Sequence, residues 1–565
     1  MSDLILLHPP SVYDFRDICI FYGPVSDLIP STPIFEMYPI GFISIAEYLE
    51  RHGYRVKIVN IAAKMLKDNK FNVEKLIKGL DSQVFGIDLH WLPHAQGSLE
   101  IARIIKKYHP NSKIVMGGLS SSYFHTEIID HQVDYILRGD STEKPFLMLL
   151  DCIEKEKKPE NVPNLTWKDD GKKKINPISH VPESLDDLML NPEPLIKSVI
   201  RDRDMNGYIP FKDWIDYPLT AVFTCRGCLY NCVTCGGSKH FYSSICMREK
   251  IALRSPDKIA EDMAIIQDYI QGPIFIVGDL FQGGNKYAEN VLNSIKKENI
   301  ENPVVVEFFK PPSDSFLEKI SRTFKEFYLQ ISPESHDYYI RRNQGRNYGN
   351  KDLEKAIKKA IELGCSRIDV FFMIGIPGQT MDSVYETVEY CAHLIELDSY
   401  RSVRPFISPL APFLDPGSLA YENPAKFGYK LFLRSLEDHR RALLNPSWKH
   451  TLNYETKWLK KEDIVKSTYE SAIRLNRIKM EKNVINQEEA LEIEERILLS
   501  RNILYEIDNA LKFDGEKREN KLSELKSKLE EANKEVLCPR EELKFSKKAK
   551  IKKINVLKSF LRNFR

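Results

Sequence analysis

Short apolar runs alternate along the first 150 residues with stretches in which apolar positions return every three or four residues. Leu4-Ile5-Leu6-Leu7, Tyr54 to Val59, Val84 to Leu89, Lys113 to Met116 and Tyr135 to Leu137 predict strands, and Gly41 to Glu50 and Leu99 to Tyr108 predict helices. Strands that alternate with helices predict a parallel sheet covered on both faces, with ligands beyond the carboxyl ends of its strands. The fourth run leads into Gly117-Gly118, where backbone can approach a ligand, and Ser120, Ser121 and Ser122 offer hydroxyls beside it. A Gly-Gly pair can equally serve as a plain turn.

A hairpin is predicted where Asn164 to Lys168 and Lys174 to Ile178 flank Asp169-Asp170-Gly171. Pro182, Pro192 and Pro194 then mark a linker. From Tyr217 the strand and helix rhythm resumes, with strands at Thr220 to Thr224, Ile274 to Val277, Val304 to Phe309, Glu326 to Ile331 and Arg367 to Ile374. That succession fits a partial barrel better than a closed eight-stranded one. Beyond it, Ser408 to Gly417 reads as a turn-rich strap and Glu488 to Glu535 as charged helices. The expected division is 1–152, a linker with hairpin over 153–216, a core over 217–400, and a mostly helical extension over 401–565.

Chemistry concentrates after the first core strand. Cys228, Cys232 and Cys235 form a C-x3-C-x2-C loop, and three thiolates so spaced can hold an iron–sulfur cube with its fourth iron open. Cys225 makes a fourth thiol available, which leaves structural zinc or a closed four-cysteine cluster as alternatives. Zinc ribbons place two C-x2-C knuckles a dozen or more residues apart, unlike this single loop. Cys225 is expected to be a neighbouring thiol and not a ligand.

This loop resembles that of the radical S-adenosylmethionine (radical SAM) superfamily. The resemblance implies a (β/α)6 partial barrel and a 4Fe-4S cluster on Cys228, Cys232 and Cys235, whose open iron chelates the amino and carboxylate groups of S-adenosylmethionine. It places Gly278-Asp279 where relatives hold the methionine amine. Ser332 and Glu334, in Ser332-Pro333-Glu334-Ser335, fall near the ribose or the methionine end. Gly375 and Pro377, in the run ending Gly378-Gln379-Thr380, fall near the adenine. Each has a structural alternative: Asp279 as a helix cap, Glu334 paired with Arg341, and the Gly-Pro run as a turn. Thr234 stands where relatives carry an aromatic residue, so adenine contacts must come from elsewhere.

Met1 to Cys152, with Pro9-Pro10, Tyr38-Pro39-Ile40-Gly41, Met116-Gly117-Gly118 and Arg138-Gly139-Asp140-Ser141-Thr142-Glu143, resembles the cobalamin-binding domain that precedes many radical SAM cores. That implies a flavodoxin-like fold with the corrin over the strand ends, near Gly117, Gly118 and Ser120. Asp88-Leu89-His90 matches only the first half of the D-x-H-x-x-G cobalt-ligand signature, because Pro93 stands where glycine is expected. His90 therefore reads as a polar or structural residue, and relatives bind cobalamin without a histidine ligand.

Composition narrows the remaining choices. Of 565 residues 42% are apolar and 29% charged, the balance of a water-soluble protein, and no apolar run is long enough to span a bilayer. The start carries no secretory signal, and ten cysteines in one cluster plus scattered singles argue against disulfides, so a reducing cytoplasm is expected. A net charge of +2 predicts no nucleic-acid partner. From Phe545 a basic tail carries Ile554, Leu557, Phe560 and Leu561 among its lysines and arginines, suited either to an anionic membrane or partner or to a solvated end. The expectation is a cobalamin-dependent radical SAM enzyme that methylates an unactivated carbon of a small molecule or lipid through a 5′-deoxyadenosyl radical. A one-electron reductant such as ferredoxin or flavodoxin would serve it. Ring closure or carbon–carbon coupling without methyl transfer, and an iron–sulfur or cobalamin sensor, are the alternatives.

Overall fold

The computed structural model describes residues 2–24, 32–190, 192–398, 401–533, 537–538, 540–545, 550–552 and 555. The N-terminal sheet orders its strands β2-β1-β3-β4-β5-β6-β7, from β1 (Ser2–His8), β2 (Val56–Asn60), β3 (Ser82–Asp88), β4 (Lys113–Gly117), β5 (Tyr135–Leu137), β6 (Leu165–Asp169) and β7 (Lys172–Ile175). The first five are parallel, in the flavodoxin order, with the switch point between β1 and β3. Buried on both faces, β1 shows why its sequence is a continuous apolar run. Ile5 and Leu7 pack with the helix Ala95–Tyr108 on one side, and Leu4 and Leu6 face Phe42, Leu49 and Phe146 on the other.

The hairpin forms as expected, with Asp170 at φ 47° and Gly171 at φ 78°, the two left-handed residues of a type I′ turn. It does not stand apart as a linker, because β6 pairs antiparallel with β5 and extends the N-terminal sheet.

The core is an open barrel of six parallel strands: Thr220–Phe223, Ile274–Val277, Val304–Phe308, Phe327–Glu334, Arg367–Ile374 and Val403–Pro409. The sixth lies beyond the expected core boundary at 400. Its prolines, Pro405 and Pro409, hide it from a propensity reading. They are tolerated because it is an edge strand, paired on one side only.

Alternate residues of these strands face outward to helices, as Ile274, Val304 and Val306 do. The others point into the lumen, where Phe275, Val305 and Tyr328 form a cluster around Phe545, with Leu219 and Ala221 against it. Arg367 lies 4.9 Å from the Phe545 ring and donates to the Lys544 carbonyl at 2.7 Å. Lys550–Ile551 pairs antiparallel with Ile270–Gln271. The described residues of the tail's first part thus pack against the core. They fill the amino-terminal end of the barrel because Phe545 is the apolar residue that completes that layer. Ile554, Leu557, Phe560 and Leu561 lie outside the described residues.

Two long helices, Lys461–Glu481 and Gln487–Ala510, dominate the extension. Trp448 is buried there and donates to the Tyr469 hydroxyl at 3.1 Å, whereas Trp458 is 41% exposed. Among the described residues no helix is long and apolar enough to cross a membrane.

Candidate functional site

The cysteine loop leaves the carboxyl end of the first barrel strand. Cys232 is buried, Cys228 half-buried and Cys235 exposed. Donors are aimed at two of the sulfurs. Cys228 Sγ accepts from the Tyr230 N–H at 3.4 Å and from Gln282 Nε2 at 3.2 Å, and Cys235 Sγ accepts from the Gly237 N–H at 3.3 Å. Donors arranged around sulfur suit thiolates, the state in which cysteines bind iron. Gln282 is oriented from its other end, since its Oε1 accepts the Leu229 N–H at 2.8 Å.

Among the described residues no three His, Cys, Asp or Glu side chains converge closely enough to hold a single metal ion. The Cys225 sulfur instead points to the Gly227 carbonyl at 4.0 Å, as fits a neighbouring thiol. The donor chemistry therefore fits a three-cysteine cluster.

Arg346, which the sequence did not single out, organises the charges beneath the loop. Its Nη2 stands 3.4 Å from Glu334 Oε1, its Nη1 donates to the Phe309 carbonyl at 3.4 Å, and its Nε is buried without a partner. Burial raises the Cys232 thiol, and Arg346 opposes that rise. Glu334 takes φ 68°, a left-handed backbone unusual for a side-chain-bearing residue, and pairs with Arg346. The alternative pairing with Arg341 is not formed, because Arg341 is taken by the Ser335 and Tyr348 carbonyls. Glu307, two residues beyond Val305 and so on the lumen side, has its carboxyl pushed up to about 7 by burial, with Arg346 opposing.

Two expected cofactor contacts read differently. Asp279 is fully buried, and its two oxygens accept the Phe281 and Phe309 N–H groups at 2.8 and 2.9 Å. It clamps two strand-end loops together and does not present an open carboxylate. At Gly375, φ 97°, the place of a Cβ is filled by the Tyr454 hydroxyl, and its carbonyl accepts from Tyr429 at 2.8 Å. This glycine admits the C-terminal tyrosines and not an adenine, and Pro377 beside it is buried. Gln379, quoted in the motif without a role, ties the loop by accepting the Gly375 N–H and donating to the Met373 carbonyl. Ser332 is half-buried at the end of its strand.

The N-terminal edge shows a similar redirection. A Cβ on Gly118, at φ 118°, would lie 2.5 Å from the His90 Cα, and Ser120 donates both its N–H and its hydroxyl to the His90 carbonyl. Gly118 and Ser120 therefore admit and hold the chain's own Leu89-His90 loop, where a ligand was expected. Gly117 has room, its nearest neighbour being the Leu137 carbonyl at 3.8 Å.

At the switch point itself His8 Nδ1 meets Asp88 Oδ1 at 2.9 Å and His8 Nε2 meets the Phe35 carbonyl at 2.8 Å. Burial pushes Asp88 up, yet His8 outweighs it and holds the carboxyl below its ordinary range. His94 shares the Phe35 carbonyl and is pushed down to about 4 by burial, so it is neutral. His8 was missed, although a histidine closing the first strand was a signal in plain view.

Between the edges lies a clasp. Arg226, two residues before Cys228, donates to Glu143 Oε2 at 2.9 Å, and Ser44 donates to Oε1 at 2.8 Å. Burial raises Glu143, but Arg226 and Ser44 outweigh it and hold the carboxyl below its usual range. Arg248 donates to Asp140 Oδ1 at 3.0 Å and to the Pro182 carbonyl at 2.9 Å. The strap also reaches the loop, where Asp415 Oδ2 accepts the Gly236 N–H at 2.9 Å. Asp415 sits in a recess, open at its surface yet crowded by protein, which pushes its carboxyl up to about 6.

Residues 31–145 match the B12 binding domain family, and residues 222–391 match the Radical SAM superfamily. The three cysteines thus stand at the strand ends of a six-stranded barrel that is a Radical SAM domain, and a B12 binding domain precedes it in the chain. The chain is 24% identical over 376 residues to an uncharacterized methyltransferase, PH0819, of Pyrococcus horikoshii, covering 65% of this chain and 76% of that one. It is 24% identical over 294 residues to the cytidylyl-2-hydroxyethylphosphonate methyltransferase of Streptomyces wedmorensis, covering 44% of this chain and 53% of the relative. In fold it resembles the radical S-adenosylmethionine methyltransferase TsrM of Kitasatospora setae, solved with tryptophan substrate and a SAM analogue. The TM-score is 0.53 at 14% identity, over 77% of this chain and 79% of that one.

Proposed function

We propose that the protein transfers a methyl group to an unactivated carbon of a small molecule or lipid. The observation that carries this is the clasp. Asp140 and Glu143 follow the carboxyl end of β5, and Arg226 follows the carboxyl end of the first barrel strand, so the two ligand edges are tied to one another. When bound, the cluster with S-adenosylmethionine supplies a carbon-centred radical and cobalamin supplies the methyl group.

The chain's own residues prepare that chemistry. Cys228, Cys232 and Cys235 would hold the cluster, with Gln282 and two loop N–H groups fixing the sulfurs of Cys228 and Cys235. The unpartnered Arg346 Nε is the group we assign to the carboxylate of S-adenosylmethionine, with Ser332 and Glu334 at the same strand end toward its ribose. Gly117 and the partly exposed His90 mark the cobalamin edge. Within the lumen, Val277, the stacked Phe371 and Phe406 and the protonatable Glu307 form the substrate wall. Phe545 keeps water from its floor. A cytoplasmic setting with a flavodoxin or ferredoxin as electron donor suits an iron–sulfur cluster held by reduced cysteines.

The test is anaerobic reconstitution with cobalamin and methyl-labelled S-adenosylmethionine, followed by product analysis with metabolite and lipid extracts. Label in a product together with 5′-deoxyadenosine supports methyl transfer. A Cys232→Ala protein that keeps both products overturns it, and a product that loses hydrogens without label points to ring closure.

A further inference from the structure

The outer side of the cysteine loop takes no part in the chemistry above, and its composition is distinctive. Leu229, between Cys228 and Cys232, is 53% exposed. Lys239 is tied next to it, because its backbone N–H donates to the Tyr230 carbonyl at 2.8 Å. Lys310 Nζ stands 5.2 Å over the Tyr230 ring. Arg342 lies on the helix Tyr338–Gln344, and the residue after that helix, Gly345, has its Cβ position 3.3 Å from the Asn231 carbonyl oxygen and the Cys232 Cα.

Lys239, Lys310 and Arg342 are all exposed, and none has an ion pair among the described residues. The nearby acids do not neutralise them. Asp279 and Glu334 are buried, Glu307 faces the lumen, Asp337 caps the helix through the Tyr339 and Ile340 N–H groups, and Asp415, exposed beside the loop, accepts the Gly236 N–H and forms no ion pair among the described residues. An apolar knob ringed by unpaired cations therefore sits one residue away from a cluster ligand.

We propose that this face docks an acidic one-electron carrier protein of the flavodoxin type. The proposal rests on the cluster reading given above. Unpaired rim cations steer an acidic partner and set its rate of encounter, while the exposed leucine supplies apolar area at the centre. The transfer balances without a proton: the anionic flavin hydroquinone gives one electron to the cluster held by the loop and becomes the neutral semiquinone. No bond forms or breaks.

The experiment uses the full reconstituted chain and follows bleaching of the cluster absorbance in stopped flow, normalised to bound iron. One reductant is a purified flavodoxin in its hydroquinone form and the other is photoreduced 5-deazaflavin, which is small and uncharged. In the parent protein the flavodoxin rate should fall steeply with added salt. In the Lys239→Glu, Lys310→Glu, Arg342→Glu protein it should fall by about tenfold or more at low salt, with the deazaflavin rate kept within about twofold.

A flavodoxin rate equal to the parent's, a parent rate insensitive to salt, or an equal loss with both reductants overturns the docking face. The single variants Lys310→Glu and Arg342→Glu carry the same test if the triple variant binds less iron. A parent chain that neither reductant can bleach refutes the cluster reading itself, and this one with it.

Discussion

The two ligand edges of this molecule use the polar residues at their strand ends in opposite ways. In the N-terminal domain the glycine and serine after β4 are consumed by the chain itself, with Gly118 and Ser120 holding the His90 loop. At the core edge, sulfurs receive donors from the loop and from Gln282, while Arg346 keeps a buried nitrogen with no partner. A Gly-Gly-x-Ser motif at a strand end is therefore no ligand signal until its own hydrogen bonds have been counted. The cysteine triplet is one, because no local fold needs three thiols in one loop with donors aimed at two of them.

The sharpest way to break this contrast is to cut the clasp that joins the edges. Glu143→Ala strands Arg226 in a buried site, and a loss of roughly 3–5 kcal/mol in denaturant unfolding is expected. Glu143→Gln, which keeps the shape and one acceptor, should lose less. Equal losses would show that the charge is not what matters.

The next effect depends on pH. The Glu307 carboxyl is raised in the folded state from 4.5 to about 7, so the fold favours its protonated form. Its ionisation costs stability as pH rises from the ordinary carboxylate range through 7, and the cost is absent in acid. Glu307→Gln should stabilise the cluster-free chain by about 3 kcal/mol at pH 8 and by almost nothing near pH 4. A gain independent of pH would mean that packing, not titration, is responsible.

A smaller difference separates adjacent glycines. Gly118→Ala must displace the His90 backbone and adopt a left-handed φ, so more than about 1 kcal/mol should be lost, together with cobalamin affinity. Gly117→Ala should stay within about 0.5 kcal/mol. Cobalamin titration and thermal unfolding of both variants check the pair. The least effect on folding is expected at Gln282. Gln282→Glu keeps the acceptor for the Leu229 N–H but removes the donor to Cys228, so stability should barely move while the cluster potential shifts negative in an EPR-monitored redox titration.

What the sequence disclosed follows the same division. The parallel sheets, the type I′ hairpin and the cysteine loop were legible because apolar period, turn chemistry and thiol spacing are local. The sixth strand was not, because Pro405 and Pro409 speak against a strand unless its edge position is known. Arg346 and Gln282 were invisible for another reason. An arginine or glutamine carries no periodic signal, and each lies more than 40 residues from the cysteines it serves. Gly375 and Asp279 were placed correctly at strand ends, but their partners, Tyr454 and the Phe309 backbone, come from elements that no motif announces. Phe545 looked like the start of a loose basic end because its role exists only once five distant lumen residues surround it.

That aromatic stopper has a consequence for traffic. With Phe545 wedged among Phe275, Val305 and Tyr328, the amino-terminal end of the barrel is filled, and the opposite end is the one where the clasp fastens the other domain. Under the proposed methyl transfer, substrate arrival, product departure and reloading of the cobalamin-binding domain would all be served from that one end.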